Sequence, residues 1–417
     1  MTELSTLSQW LHHLENQHHK AIDMGLARVQ AVAQTADLLT LDCPVITVGG
    51  TNGKGSTVAT LTAIYCAANY KVGTYTSPHI IDFNERIAIN NQPVSDDLLI
   101  NAFNAVEAAR VITNISLTYF EFTTLAAFWI FKHAKLDIAV LEVGLGGRLD
   151  AVNIIDADVA VVTSIGLDHT DWLGDTREAI SFEKAGIFRG QRPAIYGEVN
   201  PPQPLVDHAK KIGAKLHIKH DDFSFEQQGQ VWSFHGEKLT LMDLPKPCLA
   251  LDNVATALAA IQYVSLPVSE QALKIGISQA KLAGRAERLH YKNIEIIADV
   301  AHNPHGASFF MQQLATMQGR TLAVFAMLAD KDIAGTLAAC LGRVDVWFVA
   351  GLDGTRGTTA EQIAPLLQNN GMYIGGKYQT VAAAMRAACQ TAQAGDRILV
   401  FGSFYTVAAA KQWLQTQ

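Results

Sequence analysis

The chain has 417 residues, of which 49% are hydrophobic and 17% are charged. This composition supplies apolar material for more than one buried core and excludes the disordered and fibrous classes. The formal net charge of -7 at pH 7 argues against a protein that coats nucleic acid or an anionic membrane. An anionic ligand must therefore be held by local chemistry.

The N-terminal segment and the cysteines indicate the cellular compartment. The N-terminal segment lacks the apolar core of a signal peptide, and no segment approaches the roughly 18 uninterrupted apolar residues of a membrane span. The five cysteines are scattered, without the spacing of a zinc site or a disulfide framework. We therefore expect a soluble, cytoplasmic protein with free thiols and with neither a membrane nor a nucleic-acid partner.

Strand-like apolar runs alternate with helical segments over the first two thirds of the chain, which predicts a parallel sheet covered on both faces. Helices are predicted over Ser56–Asn69, after a glycine-rich turn, and over Phe120–Lys135, with Thr118 as a candidate cap. A less regular insertion with a β-hairpin is predicted over Pro201–Pro247. The predicted strands of this part are Val45–Val48, Val72–Tyr75, Ile138–Leu141 and Val159–Val162.

The alternation restarts near Ala283, after a linker that we place at Leu282–Lys292, and includes a predicted helix over Val381–Ala392. The predicted strands here are Ile294–Val300, Thr321–Met327, Val344–Ala350 and Arg397–Phe401. The fold class is therefore α/β. A mostly parallel, P-loop-containing sheet domain is predicted over residues 1–284, followed by a smaller Rossmann-like α/β domain over residues 285–417.

The first strand is followed by the glycine-rich segment Gly49–Thr57, in the order strand, turn and helix start that cradles phosphates. Backbone N–H groups and the positive end of the helix dipole bind the anion, and Lys54 adds a point charge. The segment departs from the usual P-loop, because Val48 replaces the first glycine and Gly55 replaces the hydroxyl residue that holds magnesium. A purely structural glycine turn is the alternative.

Polar residues also follow the next three predicted strands. They are Ser77-Pro78-His79, then Glu142–Arg148, then Ser164 with Asp168–Asp171 a few residues on. In open parallel sheets ligands bind at the carboxyl ends of the strands, so these side chains are expected at one edge. A hydroxyl, a carboxylate and an imidazole there can coordinate magnesium beside the nucleotide and replace the missing P-loop hydroxyl. Taken singly, each residue is also typical of a cap or an ion-pair partner.

Six blocks in order resemble the folate branch of the Mur-type ADP-forming amide ligases, which comprises folylpolyglutamate synthases and their bifunctional dihydrofolate synthase forms. The blocks are Gly50–Ser56, Thr76–His79, Leu141–Asp150, Leu167–Thr170, Glu183–Gly186 and Asp299–Pro304, and the match spans nearly the whole chain. The resemblance implies that ATP is bound by Thr51, Asn52, Gly53, Lys54, Gly55, Ser56, Asn253, Arg285 and Asp299. It implies Mg²⁺ ligands, for two ions, at Ser77, Glu142, His169 and Lys184, with Lys54, Lys184 and His169 as catalytic residues.

The resemblance implies that Lys184 carries a carbamate formed with CO2, that is, an N6-carboxylysine. A free ammonium beside magnesium would be repelled, whereas carbamylation turns the cation into an anion. Carbon dioxide reacts with the neutral amine, and nearby divalent charge lowers a lysine pKa, so the same field favours the modification. Without the family match, a surface helix lysine is the better interpretation.

For substrates the resemblance implies three sets of contacts with a pterin-bearing acid, dihydropteroate or a reduced folate. The sets are Ala21, Ile22 and Asp23; Thr118, Tyr119, Phe120 and Glu121; and Leu149, Asp150 and Ala151. Aromatic rings stack a pterin and carboxylates accept its N–H groups, although a helix and a helix cap are the structural alternative for the first two sets. For L-glutamate the candidates are His302, Lys331 and Ser403 in the second domain.

The implied activity is ATP-dependent, ADP-forming ligation of L-glutamate to dihydropteroate and to tetrahydrofolate or its polyglutamates. Our own default expectation for the oligomeric state is a monomer. Fewer than 50 residues precede Gly50, which leaves no room for the extra domain of ligases that act on UDP-sugars. Two alternatives stay open: a ligase of the same architecture that acts on another acid, and a nucleotide-binding switch without turnover. We interpret the paired histidines His12-His13 and His18-His19 as solvated side chains of a polar helix rather than metal ligands.

Overall fold

Two sheets of mostly parallel strands organise the chain, one in each of two units. The computed structural model describes residues 4–229 and 231–417. The first unit comprises the chain up to His79 together with Phe83–Lys281, and the second comprises Ile80–Asp82 with Leu282–Gln417. The assignment of functional domains to residues 1–284 and 285–417 remains a prediction.

The first unit holds eleven strands and ten helices among its described residues. The strands are β1 Val45–Gly49, β2 Val72–Tyr75, β3 Ile87–Ile89, β4 Gln92–Pro93, β5 Ile138–Glu142, β6 Val159–Val162, β7 Pro193–Tyr196, β8 Lys215–Ile218, β9 Phe223–Gln228, β10 Val231–Gly236 and β11 Thr240–Pro245. The helices are α1 Leu7–Gln17, α2 Ala27–Thr35, α3 Lys54–Ala67, α4 Asp96–Thr113, α5 Tyr119–Ala134, α6 Thr170–Leu173, α7 Arg177–Ala185, α8 Gln203–Ile212, α9 Leu251–Ile261 and α10 Glu270–Gln279.

The main sheet of this unit has the order β4-β3-β2-β5-β1-β6-β7-β8. The strands from β2 to β8 along this order are parallel, and β3 and β4 add an antiparallel edge. The register pairs Val48 with Glu142 and Gly49 with Val162. The residues that follow β1, β5 and β6 therefore emerge at one edge of the sheet, as predicted.

The predicted insertion is more regular than expected. Its first part forms α8 and β8, and β8 extends the main sheet beside β7. Only the remainder departs from the α/β pattern, as an antiparallel sheet of order β11-β10-β9. The three prolines near residue 202 suggested irregular chain, but Pro204 lies in the first turn of α8, where a proline needs no hydrogen-bond partner for its nitrogen.

The second unit holds six strands and five helices among its described residues. The strands are β12 Glu287–Tyr291, β13 Ile294–Asp299, β14 Thr321–Phe325, β15 Val346–Ala350, β16 Ile374–Tyr378 and β17 Arg397–Phe401, and the helices are α11 Pro304–Gln313, α12 Ile333–Ala338, α13 Ala360–Asn369, α14 Val381–Thr391 and α15 Phe404–Gln415. The sheet order is β12-β13-β17-β14-β15-β16. All neighbours are parallel except β12 and β13.

Two expectations for this unit were wrong. The predicted linker Leu282–Lys292 contains the edge strand β12, whose alternating residues pair with β13. Strand β16 was not predicted, because its sequence Ile-Gly-Gly-Lys-Tyr lacks an apolar run. Both are edge strands with one unpaired side, so neither needs the apolar residues that identify a central strand.

Apolar residues cover both faces of this second sheet, with one cluster around Val324 and Val400 and another around Phe325 and Phe401. Alternate residues of one strand thus serve opposite faces, as a doubly covered sheet requires. Within residues 4–229 and 231–417, no helix combines the length and apolarity that a membrane crossing requires.

Candidate functional site: a phosphate loop with two converging lysines

The segment between β1 and α3 forms a tight loop that only glycines can build. Gly53 caps α3 with φ +88°, and Gly50 has φ +141°, both in the region that side chains rarely adopt. A Cβ atom on Gly50 would lie 1.9 Å from Thr163 Oγ1, and one on Gly53 would lie 2.2 Å from Asn253 Oδ1. The predicted helix over Ser56–Asn69 therefore begins earlier, at Lys54, directly behind the loop.

The residues after β6 fix the conformation of this loop. Thr163 Oγ1 donates to Asn52 O at 2.7 Å, and the Ser164 hydroxyl accepts from Asn52 N at 3.0 Å. Thr51 N donates to Ser164 O at 2.8 Å, and Thr51 Oγ1 accepts from Gly166 N at 3.0 Å. The backbone of the loop is therefore preorganised. Thr163 was not predicted as a site residue; the signal was a hydroxyl at the carboxyl end of a strand beside β1.

Two lysine side chains converge on one carbonyl oxygen of the loop. Lys54 Nζ donates to Gly50 O at 3.0 Å, and Lys184 Nζ donates to the same oxygen at 2.8 Å. Lys184 comes from α7 and is buried, with 4% exposure. Two ammonium groups on one oxygen would repel each other. The site therefore favours a neutral amine at Lys184 or a negative charge beside the two lysines.

The pKa of Lys184 is lowered from 10.5 to about 7, mainly by burial and secondly by the charge of Lys54, against the opposing effect of the carboxylates of Asp168 and Asp150. A substantial fraction of the amine is therefore neutral near pH 7. A surface helix lysine would keep its ordinary protonation. The surface interpretation is thus excluded by the burial of this side chain.

Of the predicted metal ligands, Glu142 ends β5, and Ser77 follows the neighbouring strand β2. Ser77 N donates to Glu142 Oε2 at 3.3 Å, and Glu142 is buried with 5% exposure. His169 precedes α6 with φ +52°, and its side chain is 43% exposed, 3.9 Å from Asp168. Across the described ranges 4–229 and 231–417, no group of three or more His, Cys, Asp and Glu side chains assembles a metal site. Of the four predicted ligands, only Glu142 and His169 belong to these residue types.

The donor set at this edge nevertheless fits a magnesium ion. A carboxylate, a hydroxyl and the oxygens of a bound phosphate are the hard ligands that Mg²⁺ takes, and it usually binds few protein groups directly. Glu142 is a buried carboxylate that accepts from Ser77 N, at the edge that carries the phosphate loop. Lys184 as an ammonium cannot serve as a ligand, so its inclusion depends on modification.

Around the first substrate set, a chain of ion pairs links two of the predicted segments. Asp23 lies between α1 and α2, and Glu121 lies in the first turn of α5. Arg28 joins them: its NH1 lies 3.0 Å from Asp23 Oδ2 and its NH2 lies 3.0 Å from Glu121 Oε1. Arg28 also donates to Asp23 O. Ala21 is exposed and Ile22 is partly buried.

The residues of the second set serve the fold as well. Thr118 caps α5, with Glu121 N donating to Thr118 Oγ1 at 3.2 Å and Thr118 N donating to Glu121 Oε2 at 2.8 Å. This is the capping box that stabilises a helix start. The ring of Tyr119 lies 5.6 Å from the guanidinium of Arg86. The structural alternative of a helix cap therefore holds for Thr118 and Glu121, and their substrate role remains a prediction.

The third set lies on the loop after β5. Asp150 is buried and accepts hydrogen bonds from Leu145 N at 2.8 Å and Val152 N at 3.0 Å. Burial raises the pKa of Asp150 to about 6. The ring of Phe120 packs on Gly144 of this loop, where a Cβ atom would lie 2.5 Å from Phe120 Cζ. Leu149 is partly buried and Ala151 is buried beside it.

One histidine pair was misinterpreted. The His18 side chain is 4% exposed; its Nδ1 lies 2.9 Å from Ser116 Oγ and its Nε2 lies 3.2 Å from Asp23 Oδ2. It is therefore not solvated, whereas His12 and His19 are exposed. Ser116, the partner of His18, lies 98 positions away along the chain, so the helix pattern alone could not reveal that contact.

In the second unit, the predicted ATP contacts lie near the end of β13. Asp299 is buried and accepts hydrogen bonds from Ala286 N and Ala301 N, both at 2.8 Å. Burial raises its pKa above the ordinary range, although the charge of Arg285 acts in the opposite direction. The guanidinium of Arg285 lies 5.9 Å from the ring centre of Phe404.

The glutamate candidates of this unit have structural contacts. Ser403 is buried and caps α15 by accepting from Thr406 N at 3.0 Å. His302 Nδ1 lies 2.8 Å from Val300 O, and its ring lies 6.1 Å from that of Phe404. Lys331 lies in the turn before α12. Their substrate role remains a prediction.

Two family models match this chain: the Mur ligase middle domain over residues 48–261 and the Mur ligase glutamate ligase domain over residues 284–404. The fold and the phosphate-loop site thus define an ATP-dependent ligase of the Mur type. The middle-domain match begins at Val48, near the end of β1. The glutamate-ligase match begins at Gly284, two residues after Leu282, where the main segment of the second unit begins.

Curated relatives narrow this class. The dihydrofolate synthase/folylpolyglutamate synthase of Escherichia coli (strain K12) is 48% identical over 406 residues, covering 97% of this chain and 94% of that protein. The protein of the same name from Haemophilus influenzae is 42% identical, and the match covers 97% of this chain and 96% of that protein. The chain belongs to the dihydrofolate synthase/folylpolyglutamate synthase family.

Solved structures agree. The E. coli enzyme in complex with DHPP and ADP superposes with a TM-score of 0.94, covering 100% of this chain and 99% of that one at 48% identity. A bifunctional folylpolyglutamate synthase/dihydrofolate synthase with Mn, AMPPNP and L-glutamate bound matches with a TM-score of 0.92 at 46% identity, and the match covers 100% of this chain and 99% of that one. The predicted α/β fold class and the predicted ligase activity are confirmed, and the alternative of a switch without turnover is not supported.

Proposed function

We propose that this enzyme joins L-glutamate to dihydropteroate and to tetrahydrofolate or its polyglutamates, through an acyl phosphate and with residues of the phosphate loop edge as its machinery. The observation that carries the residue assignment is the convergence of Lys54 and Lys184 on Gly50 O, at 3.0 and 2.8 Å. Two cationic side chains aimed at one loop oxygen mark the position where negative charge is bound and transferred.

The phosphoryl step uses the loop itself. The substrate carboxylate oxygen attacks the γ-phosphorus of ATP, the bond to ADP breaks, and an acyl phosphate forms. Loop N–H groups from Thr51 to Ser56 and the Lys54 ammonium hold the transferred group, where a preorganised donor stabilises charge without reorganisation. The hydrogen bonds that fix Asn52 to Thr163 and Ser164 support this preorganisation.

Ser77, Glu142 and His169 are the proposed residues that hold Mg²⁺, for two ions together with Lys184. When bound, Mg²⁺ neutralises charge on the phosphate oxygens. The buried carboxylate of Glu142 and its contact with Ser77 N support this assignment. His169 is more exposed and reaches solvent beside Asp168.

Lys184 is the proposed site of an N6-carboxylysine. The neutral amine nitrogen attacks the carbon of CO2, a new N–C bond forms, and one proton leaves to solvent, which yields a carbamate anion. Burial and the pKa of about 7 supply the neutral amine. The resulting anion would pair with Lys54, so the repulsion between the two ammonium groups becomes an attraction.

In the second step the amine of L-glutamate attacks the acyl carbon, inorganic phosphate leaves, and the amine loses a proton as the amide forms. For L-glutamate the proposed contacts are His302 and Ser403. Asn253, Arg285 and Asp299 are proposed as further ATP contacts. Asn253 lies against Gly53 of the phosphate loop, which supports the proposal that Asn253 contacts ATP.

The pterin-bearing acid is assigned to the three sets around Asp23, Glu121 and Asp150. The contact of Phe120 with the loop at Gly144 links the second and third sets, and Arg28 links the first and second. We also propose a cytoplasmic monomer, for which the five free cysteines of the chain fit a reducing compartment.

The test is ADP and phosphate release by the purified protein with MgATP and L-glutamate, run with dihydropteroate, with tetrahydrofolate and with neither acceptor. We expect release with each acceptor and none without one. Release with tetrahydrofolate alone would reassign residues 21–23 and 118–121. Release with neither would overturn the proposed substrates and favour a ligase that acts on another acid.

A further inference from the structure

One arginine of the first unit binds two carboxylates that lie far apart in the sequence. Arg28 lies on α2, with NH1 3.0 Å from Asp23 Oδ2 and NH2 3.0 Å from Glu121 Oε1. The Glu121 side chain is 6% exposed, the Asp23 side chain 23% and the Arg28 side chain 27%. Arg28 belongs to none of the sequence motifs described above, so its contacts with Asp23 and Glu121 could not be predicted from the sequence.

The contacts divide the oxygens of Asp23 unequally. Oδ2 faces Arg28 at 3.0 Å and His18 Nε2 at 3.2 Å. The other oxygen, Oδ1, lies 3.6 Å from the exposed ammonium of Lys20, beyond ordinary hydrogen-bond length. Arg28 also donates to the backbone oxygen of Asp23. Oδ2 is thus held by Arg28 and His18, whereas Oδ1 has the longer contact with the exposed Lys20.

Glu121 differs, because both of its oxygens are occupied. Oε1 accepts from Arg28 at 3.0 Å and Oε2 accepts from Thr118 N at 2.8 Å. A buried carboxylate needs such partners, since its charge is costly without them. Arg28 thereby pairs with the buried carboxylate of Glu121 in the cap of α5, while the same guanidinium contacts Asp23.

We propose that Arg28 is a positioning residue for dihydropteroate: it clamps Asp23 Oδ2 and the Asp23 backbone against Glu121, so that Asp23 Oδ1 accepts from the N–H groups of the pterin. This inference rests on the proposed function, which assigns Asp23 to the pterin-bearing substrate. Arginine suits the task because its planar fork binds two acceptors in fixed directions, which a lysine ammonium cannot do.

The proposal predicts an effect on binding rather than on the chemical step. In Arg28→Gln, Asp23 keeps its charge but loses its fixed orientation, so dihydropteroate must order it on binding. We expect the KM for dihydropteroate to rise about tenfold, the size of one charged hydrogen bond, while kcat falls less than about threefold. Arg28→Lys keeps the charge but not the planar fork, so its KM for dihydropteroate should lie between those of wild type and Arg28→Gln.

The matched control is Arg320→Gln in the second unit. Arg320 also pairs with a carboxylate that is 6% exposed, Asp396, at 2.7 Å. Its loss removes a comparable ion pair without touching the pterin set. We expect it to lower the unfolding temperature as Arg28→Gln does, with the KM for dihydropteroate unchanged.

A second comparison separates this inference from the function on which it rests. Asp23→Asn removes the proposed acceptor charge itself. If Asp23→Asn raises the KM for dihydropteroate and Arg28→Gln does not, the positioning role of Arg28 is wrong and the pterin site stands. If neither variant changes that KM, the assignment of Asp23 to the pterin fails as well. A loss of kcat in Arg28→Gln at unchanged KM would reduce Arg28 to a structural tether and contradict the proposal.

Discussion

In the first unit, Lys54 and Lys184 both point at Gly50 O, and the loop that they reach is fixed by the residues after β6. In the second unit, the polar residues after the strands are bound to the backbone: Asp299 accepts two N–H groups and Ser403 caps α15. The same kinds of residue thus follow parallel strands in both units. The two lysines of the first unit share one acceptor, whereas Asp299 and Ser403 of the second unit each accept backbone N–H groups.

This difference indicates where ligand binding has been favoured over stability. Two ammonium groups that share one oxygen repel each other, which favours a neutral amine, a bound anion or a modification there. A carboxylate that accepts two backbone N–H groups gains stability without any ligand. The contrast predicts that substitution of Lys54 or Lys184 mainly changes activity, whereas substitution of Asp299 or Ser403 also lowers stability.

The largest effect is expected from Lys54→Met. Removal of one preorganised charge at the transferred phosphoryl group should lower kcat about 100-fold to 1000-fold, with little change in the unfolding temperature. Steady-state ADP release measures it. Lys274→Met is the control, since Lys274 only pairs with Glu270 on α10 at 2.7 Å. An equal loss of kcat in both variants would contradict the role of Lys54 at the transferred phosphoryl group.

Asp299→Ala should lower stability in addition to removing a proposed ATP contact. The change leaves Ala286 N and Ala301 N without their acceptor in a buried place, which costs about 2–3 kcal/mol of unfolding free energy. Denaturant titration measures the loss. Asp332→Ala, which removes a single cap contact with Gly335 N at 2.8 Å, should cost about 1 kcal/mol. A wild-type denaturation midpoint for Asp299→Ala would contradict the account.

The pH dependence follows from Lys184. Its pKa is lowered from 10.5 to about 7, so the reactive neutral amine is favoured above pH 7 and the ammonium below it. At fixed CO2 pressure, carbamate-dependent activity should therefore fall about tenfold or more from pH 8 to pH 6. Removal of CO2 at pH 8 should lower the rate, and bicarbonate should restore it. Coincident pH profiles with and without CO2 would exclude a carbamate.

The smallest effect compares a helix cap of the second unit with a helix cap of the first. Ser403→Ala and Ser269→Ala each remove a helix cap, at α15 and α10, and each should cost about 1 kcal/mol. Only Ser403 is a proposed L-glutamate contact, so only its variant should also raise the KM for L-glutamate. If the two variants have the same KM, Ser403 is a cap alone.

The sequence predicted the elements that have an apolar signature. Strands β2, β6 and β17 have their predicted bounds, and Thr118 caps α5 as expected. Edge strands such as β16 were missed because they need no apolar run. Among candidate site residues, the phosphate loop was predictable because its glycines, strand and helix are consecutive along the chain.

The remaining contacts depend on residues that are distant along the chain. Arg28 meets Glu121 across 93 positions, and Lys184 meets Gly50 across 134. Neither spacing has a local signature, so only the folded chain reveals the ion pair and the shared oxygen. The burial of His18 is of the same kind, since its partner Ser116 lies 98 positions away.

The most direct test of the central claim is a carbon-13 NMR spectrum of the protein equilibrated with labelled bicarbonate at pH 8, recorded for wild type and for Lys184→Arg. The account predicts a carbamate signal in the wild type that disappears in Lys184→Arg and weakens as the pH falls through 7. A wild-type spectrum without that signal, from protein that releases ADP at full rate under the same conditions, would contradict it.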